Sequence, residues 1–408
     1  MTIFRRFFYA GATIAALAMT TGPAMATNGQ LPTCIGTYKC GMGGAGIGLA
    51  TDATAAAVNP GLIARMGNEF IISVGWFHAD VTGDAHGAQG NGLGPQESDA
   101  SDFANGSLGV NYRLNDKWAV NLSLYPGGGG ASDWDISRTE GKNGQASGVD
   151  HAIRWRMFAG QLGVGWAPTK KASYGLGLVV IRSDMKTDSL DNAFNLPTPG
   201  PNQVVDVAWG AGVQVGGVWD LMDDQLTFAF DYQSEVFMQR FQKYKNIFNS
   251  PVNRPPTTTL GAIIRPTSAT RLAFDLKHIE QTAVRTISSE PAAEGGFGWK
   301  NRFVYMAGAE HDWDDKLTVR AGWNYGESPI DEGHVFANFL FPGITEHHFT
   351  AGGSYEFLPG MEVGFSGYYA PRVIITDDGS GDSFSQNNSG SWLKHRQYGM
   401  QLSFRKSF

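Results

Sequence analysis

From Glu69 onwards the chain alternates apolar with small or polar residues in runs of about ten. Leu272, Phe274 and Leu276 alternate with Arg271, Asp275 and Lys277. The same pattern runs through Leu226, Phe228, Phe230 and Tyr232, through Leu317, Val319, Ala321, Trp323 and Tyr325, and through Trp118, Val120, Leu122 and Leu124. Successive side chains of a strand point to opposite faces, so each run predicts a strand with one apolar and one polar face. Tight turns are expected at Asn115-Asp116, Pro168 to Ala172, Leu221 to Asp224, Pro266 to Ala269, Asp314-Asp315 and Pro359-Gly360. Between them lie seven connections of about 20 to 25 residues: 81–103, 127–151, 185–204, 235–256, 281–302, 326–345 and 371–395. Six short and seven long connections make thirteen, hence fourteen strands. An even strand number, with turns short at one end and long at the other, is the layout of a transmembrane barrel. In a soluble domain such long structureless loops would count against the assignment.

The polar face decides the orientation. It carries Asp231, Arg271, Asp275, Lys277, Glu310, Arg320, Glu356 and Glu362, charges of both signs. These pair across a wet lumen, whereas Arg or Lys on the lipid face costs about 2–4 kcal/mol at the bilayer midplane. Trp118, Trp166, Trp219, Trp313 and Tyr355 fall near the short turns, where an aromatic girdle belongs. The fold expected is an all-β, fourteen-stranded antiparallel transmembrane barrel over residues 68–408.

Composition narrows the class further. Glycine makes up 54 of 408 residues and only 17% are charged, with 31 Lys+Arg against 38 Asp+Glu, so a basic nucleic-acid-binding surface is excluded. Met1 to Ala26 reads as a secretory signal: Arg5 and Arg6, the apolar run Phe7 to Met19, then Ala24-Met25-Ala26. No later apolar run is long enough for a membrane helix, so a membrane can be crossed only by closed strands. Residues 27–67 break the alternation, and their volume suits a plug inside a fourteen-stranded lumen. They contain the only cysteines, Cys34 and Cys40, expected as a disulfide in an oxidising compartment, the alternative being two free thiols. Gly41 to Gly46 has dinucleotide G-x-G-x-x-G spacing, but no strand precedes it and no βαβ unit follows, so no cofactor is implied.

The last run places Tyr398, Met400, Leu402, Phe404 and Phe408 on one face, an ending that resembles the recognition signal of bacterial outer-membrane barrels. The glycine-rich segment ending in Asn59-Pro60-Gly61, the stretch Val319 to Ile330 followed by Glu346-His347-His348, and Gly296-Phe297-Gly298-Trp299 together resemble the FadL-type outer-membrane transporters. Gly61 stands where that family's plug motif usually has alanine. The resemblance spans the mature chain. It implies passive uptake of long-chain fatty acids or other hydrophobic compounds. Capture by outer loops would be followed by plug rearrangement and by lateral release through a kinked third strand. It also implies an outer-membrane monomer among lipid and lipopolysaccharide, without cofactor or nucleic-acid partner. A polar-solute porin is the rival reading.

Three groups of residues are candidates for that role. Phe237, Phe241, Tyr244 and Phe248 fall at i, i+4, i+7 and i+11, a helical stripe interleaved with Arg240, Lys243 and Lys245. Val335, Phe336, Phe339, Leu340 and Phe341 form a second apolar loop segment; the two would make one substrate groove, or pack onto the barrel rim and neighbouring loops. Pro126, Gly127 and Gly128 end the third expected strand and mark either a lateral gate or a loop start above the membrane, since proline removes a ladder donor and glycine weakens pairing. His347 and His348 point to opposite faces and are poor joint metal ligands; Asp133, Asp135, Asp312, Asp314 and Asp315 read as solvated acids. No nucleophile motif argues for an enzyme.

Overall fold

The structure, a computed structural model, describes residues 27–86, 94–134, 151–187, 204–245, 248 and 250–408. The expected leader, Asp135 and parts of four long loops lie outside the described residues. Fourteen strands form the wall: β1 Glu69–Asp84, β2 Asp102–Arg113, β3 Trp118–Trp134, β4 His151–Thr169, β5 Ala172–Thr187, β6 Asp206–Leu221, β7 Leu226–Gln233, β8 Thr257–Ile264, β9 Thr270–Ile279, β10 Arg302–Asp312, β11 Leu317–Gly326, β12 His347–Leu358, β13 Met361–Thr376 and β14 Trp392–Ser407. Each pairs antiparallel with its sequence neighbour, and β14 pairs with β1 from Ser407↔Glu69 to Trp392↔Asp84, which closes the cylinder. Every expected tight turn joins two strands. The strands run further towards the long loops than the alternation indicated: β1 reaches Asp84, β3 reaches Trp134 and β13 reaches Thr376. The glycines that read as the start of a loop are held in the β3–β4 ladder by their neighbours.

The oily face points outward. Phe228, Leu260, Phe274, Phe365, Met400 and Leu402 are exposed, while the alternate residues Asp231, Asp275 and Glu310 are buried within the lumen. Lumenal charges pair: Glu310 takes Arg271 at 2.7 Å and Arg320 at 2.6 Å, and Glu362 takes Arg405 at 3.2 Å. At the short-turn end Trp118, Trp166, Tyr174 and Trp219 stack around the wall with centroid separations of about 6 Å, the spacing of favourable aromatic pairs.

Residues 27–67 fill the lower lumen, towards the short turns. They are short 3-10 and helical turns with little regular structure of their own, so their carbonyls need outside donors. The wall supplies them. Asn121 and Ser123 donate to the Ala53 carbonyl at 3.0 and 3.3 Å, Gln161 to Ala56 at 2.8 Å, Thr350 to Gly41 at 3.0 Å and Arg405 to Thr51 at 2.8 Å. Asp275 in turn accepts from the Gly46 and Ile47 amides at 2.6 and 3.0 Å. Asn59 caps the turn Pro60–Arg65 by accepting from Gly61 N–H at 2.8 Å, and donates to the Ile47 carbonyl at 3.0 Å. The glycine excess lies at the surface where wall and plug meet. A Cβ on Gly175 would stand 2.0 Å from the Pro60 oxygen, and one on Gly216 would stand 1.9 Å from Asn59 Oδ1. Only glycine allows that approach. Cys34 and Cys40 are joined by a disulfide with Cα atoms 5.1 Å apart.

Candidate functional site

The wall has a gap where the sequence breaks its own pattern. Strands β2 and β3 are laddered only from Leu108↔Leu124 to Arg113↔Ala119. Beyond that, Asp102 to Ser107 of β2 pair with β1 alone, and Tyr125 to Ser132 of β3 pair with β4 alone. Contact returns further out, where Asp99 N–H donates to the Asp133 carbonyl at 2.8 Å. The opening is therefore a bounded window. Pro126 lacks an N–H, and the β3–β4 register shifts between Pro126 and Gly128. Gly128 has φ 141, and a Cβ there would meet the Gln30 carbonyl oxygen at 2.5 Å. The freed Gly129 N–H donates to that same carbonyl at 2.9 Å. The kinked strand is thus tied to the plug's first residues instead of to β2. Arg254 reaches in from the opposite side, its Nε donating to the Gly127 carbonyl at 3.3 Å.

Inside the window lies an apolar chamber. Upward of the plug the lumenal faces of β4 and β5 carry Ile153, Trp155, Met157, Val179, Ile181 and Met185, all buried. The outer loops complete the lining. A cavity of about 40 Å³ is walled by Phe103, Trp155, Trp299 and Phe341, with Gly129, Gly130, Gln30, His395 and Gln397 on its remaining sides. A second of about 10 Å³, sharing Gln30, Trp155, Trp299 and Phe341, extends to Met185, Phe248 and Phe297. Neither approaches the roughly 150 Å³ that holds a benzene ring in an engineered core, so a ligand enters only with movement of a wall.

The loop candidates fall into place unevenly. Phe241, Tyr244 and Phe248 are 2% exposed and belong to one apolar cluster with Phe339 and Phe341. Phe297 links them, its ring 6.5 Å from Phe248 and 5.1 Å from Phe341. The helical stripe is a correction, because no helix forms among the described residues there. Phe237 sits in a two-residue strand paired with Ala211 and Gly210, and its side chain is 67% exposed, away from the cluster. Pairing to the edge of β6 fixes period 2 at that point and outweighs the helical spacing. Arg240 is turned into its own loop, donating to the Phe248 carbonyl at 3.0 Å. Phe336 is half-buried and meets Phe384 edge to face, the ring centroids 6.2 Å apart. The backbone around Phe339 is held by polar ties: Trp134 Nε1 donates to the Phe339 carbonyl at 3.0 Å, and Trp299 Nε1 donates to Asn338 Oδ1 at 2.6 Å.

Phe103, Trp155, Gln30, His395 and Gln397 were not singled out by the sequence, and Trp299 entered only through the family resemblance. In Ile153-Arg154-Trp155-Arg156-Met157 the alternation separates apolar from cationic residues, but the rule that puts charges in the lumen would have turned Trp155 towards lipid, whereas it is buried at 3% exposure. His347 stacks outward on Tyr325 at 4.6 Å while His348 is buried, in keeping with opposite faces. Among the described residues no group of His, Cys, Asp or Glu is placed to hold a metal. One loop histidine stands out. His334 is held between Asp331 and Glu290, which join loops 327–346 and 280–301. Burial lowers its proton affinity, but the bonds and charges of Asp331 and Glu290 outweigh that and raise its pKa above the ordinary value.

The architecture recurs in solved structures. The Pseudomonas putida toluene transporter TodX shares 16% identity over 92% of this chain and 99% of its own, with a TM-score of 0.70. A Pseudomonas aeruginosa FadL homologue shares 15% over 93% and 100%, with a TM-score of 0.69. The Ralstonia pickettii toluene transporter TbuX shares 17% over 92% and 99%, with a TM-score of 0.64. At such identities the likeness is one of fold. No curated protein sequence matches the chain. Residues 17–408 match the family described as outer membrane protein transport protein (OMPP1/FadL/TodX). A closed lipid-facing cylinder, an internal plug and a match across nearly the whole length agree, and the chain belongs to this family of outer-membrane transport proteins.

Proposed function

We propose that the protein passively carries hydrophobic small molecules, monoaromatic compounds foremost, from the outer loops to the outer-membrane bilayer. The observation that carries this reading is the apolar, aromatic-walled chamber lying directly behind the unladdered stretch of β2 and β3. Cargo gathers on the cluster formed by Phe241, Phe248, Phe297, Phe339 and Phe341, then passes between Phe341 and Trp155. Movement of the Phe341 ring admits the cargo; displacement of Gly29-Gln30 then breaks the Gly129–Gln30 bond, and the cargo leaves sideways between Phe103 and Gly129. No energy source is required, since each buried methylene favours the bilayer by about 0.8 kcal/mol. The solved toluene transporters of this fold favour aromatic cargo. The small aromatic-walled chamber favours it over a long acyl chain, which would need a continuous tunnel.

Tethering tests the exit. The native cysteines are bonded to each other and no other cysteine exists, so Phe103→Cys with Ala131→Cys, which avoids the φ of 141 at Gly129, introduces the only free thiols. A short bis-maleimide bridging them is expected to abolish uptake of labelled toluene by intact cells, while either single variant treated alike retains it. Full uptake with the bridge in place would refute lateral release. Liposome swelling in sugars separates the porin reading: slow swelling is expected, and rapid swelling would favour the porin.

A further inference from the structure

The chamber is apolar in its walls but not in its hydrogen bonding. Gln30 is 1% exposed, and both atoms of its carboxamide lack a partner while lining the cavity. Gln397 is 3% exposed and its Oε1 is likewise unpartnered. A buried, unmade hydrogen bond costs about 1–3 kcal/mol, an unlikely burden for a chamber that receives plain hydrocarbon, where Leu or Met would serve.

The state of Gln397 is set by a chain of bonds. The Pro342 carbonyl only accepts, so His395 Nδ1 carries the proton in their 2.6 Å contact. In the neutral imidazole Nε2 is then an acceptor, and the 2.8 Å contact with Gln397 Nε2 makes the glutamine amide the donor. That leaves Gln397 Oε1 as the free end, aimed at a group with a proton to give. Gln30, on another side of the same cavity, offers an N–H to the same group. An O–H satisfies both, donating to Gln397 and accepting from Gln30. A carboxylate has no proton for Gln397, and a hydrocarbon answers neither.

We infer that Gln397 and Gln30 make the chamber a site for aromatic alcohols, with the ring between Phe103, Trp155, Trp299 and Phe341 and the hydroxyl on the two glutamines. The inference rests on the chamber being the cargo's binding place, and it names the cargo class. Polar selection of this kind discriminates strongly, because the analogue lacking the hydroxyl leaves buried groups unpaired.

Phenol and toluene form the test pair, being nearly equal in shape. Binding of each to the purified full-length barrel in detergent is read by quenching of tryptophan fluorescence, on free ligand concentration after correction for micelle partition. Wild type is expected to favour phenol about tenfold. Gln397→Leu, with folding checked by the heat-modifiable migration of the barrel, is expected to reverse that preference, and Gln30→Leu to reduce it. If Gln397→Leu fails to assemble, Gln397→Met, which removes the acceptor at nearly the same side-chain length, is expected to reverse the preference in its place. A wild-type preference for toluene, or a phenol-to-toluene ratio unmoved by every variant, overturns the inference and leaves the transport reading standing. Binding of neither ligand overturns both.

Discussion

The two halves of the lumen hold their contents by different physics. In the lower half, wall amides and carboxylates such as Asn121, Gln161 and Asp275 bond to plug backbone, and glycines such as Gly175 and Gly216 let that backbone lie against the wall. Directional bonds and close backbone contact leave little freedom to move. In the upper half, Trp155, Phe297, Trp299 and Phe341 meet through non-directional apolar contact around small voids. Rings packed loosely about a void shift at small cost, because only partial dispersion contact is lost. The lower half is built as a seal and the upper half as an adaptable receiver. The Gly129–Gln30 bond spans the two.

Breaking the seal carries the largest expected effect. Asp275→Ala removes an acceptor for two plug amides in a buried setting, a loss of about 3 kcal/mol. Its denaturant midpoint is expected to fall, and its ion conductance in planar bilayers to rise clearly above that of wild type. Wild-type conductance in this variant would mean that the seal does not depend on the bond. In the receiver, Phe341→Ala costs about 3 kcal/mol in local loop packing but leaves the seal untouched. The expected outcome is unaltered conductance together with new binding of bicyclic aromatics by fluorescence quenching. A conductance rise matching that of Asp275→Ala would show that the halves are not independent.

The smallest effect concerns the loops over the receiver. The pKa of His334 is raised by Asp331 and Glu290, so its protonated form favours the docked loops. That stabilisation is fully present below the undocked value near 6.5 and is lost as pH rises through the higher docked value. Once exchange rates are corrected for their intrinsic base-catalysed rise with pH, amide protection in 327–346 is therefore expected to be higher at pH 6 than at pH 8, by a few-fold. In His334→Gln the difference should vanish, and an equal pH response in that variant would remove His334 from the account.

Much of the cylinder was legible because its information is local. The turn residues at Asn115-Asp116 or Pro359-Gly360 and the period-2 alternation each act within a few residues, and the charges at Arg271 and Asp275 settle which face meets lipid. The run Gly127 to Gly130 misled for the same reason. Local propensity reads it as a loop, whereas β4 holds it in a ladder from the other side. Phe237 to Phe248 misled likewise, since its spacing is helical but β6 claims its first two residues.

By itself, then, the sequence determined the strand number, the end at which each turn lies, the outward oily face and the presence of an internal segment. All follow from side-chain alternation and solvation, which need no knowledge of distant partners. Tertiary structure alone decided where β2 and β3 part, which rings enclose a chamber, and that His395 fixes the free end of Gln397. The chamber joins residues more than 200 positions apart, as Ser132 and Leu340 or Trp134 and Phe339 do, and no periodicity along a chain encodes which of its distant faces will meet.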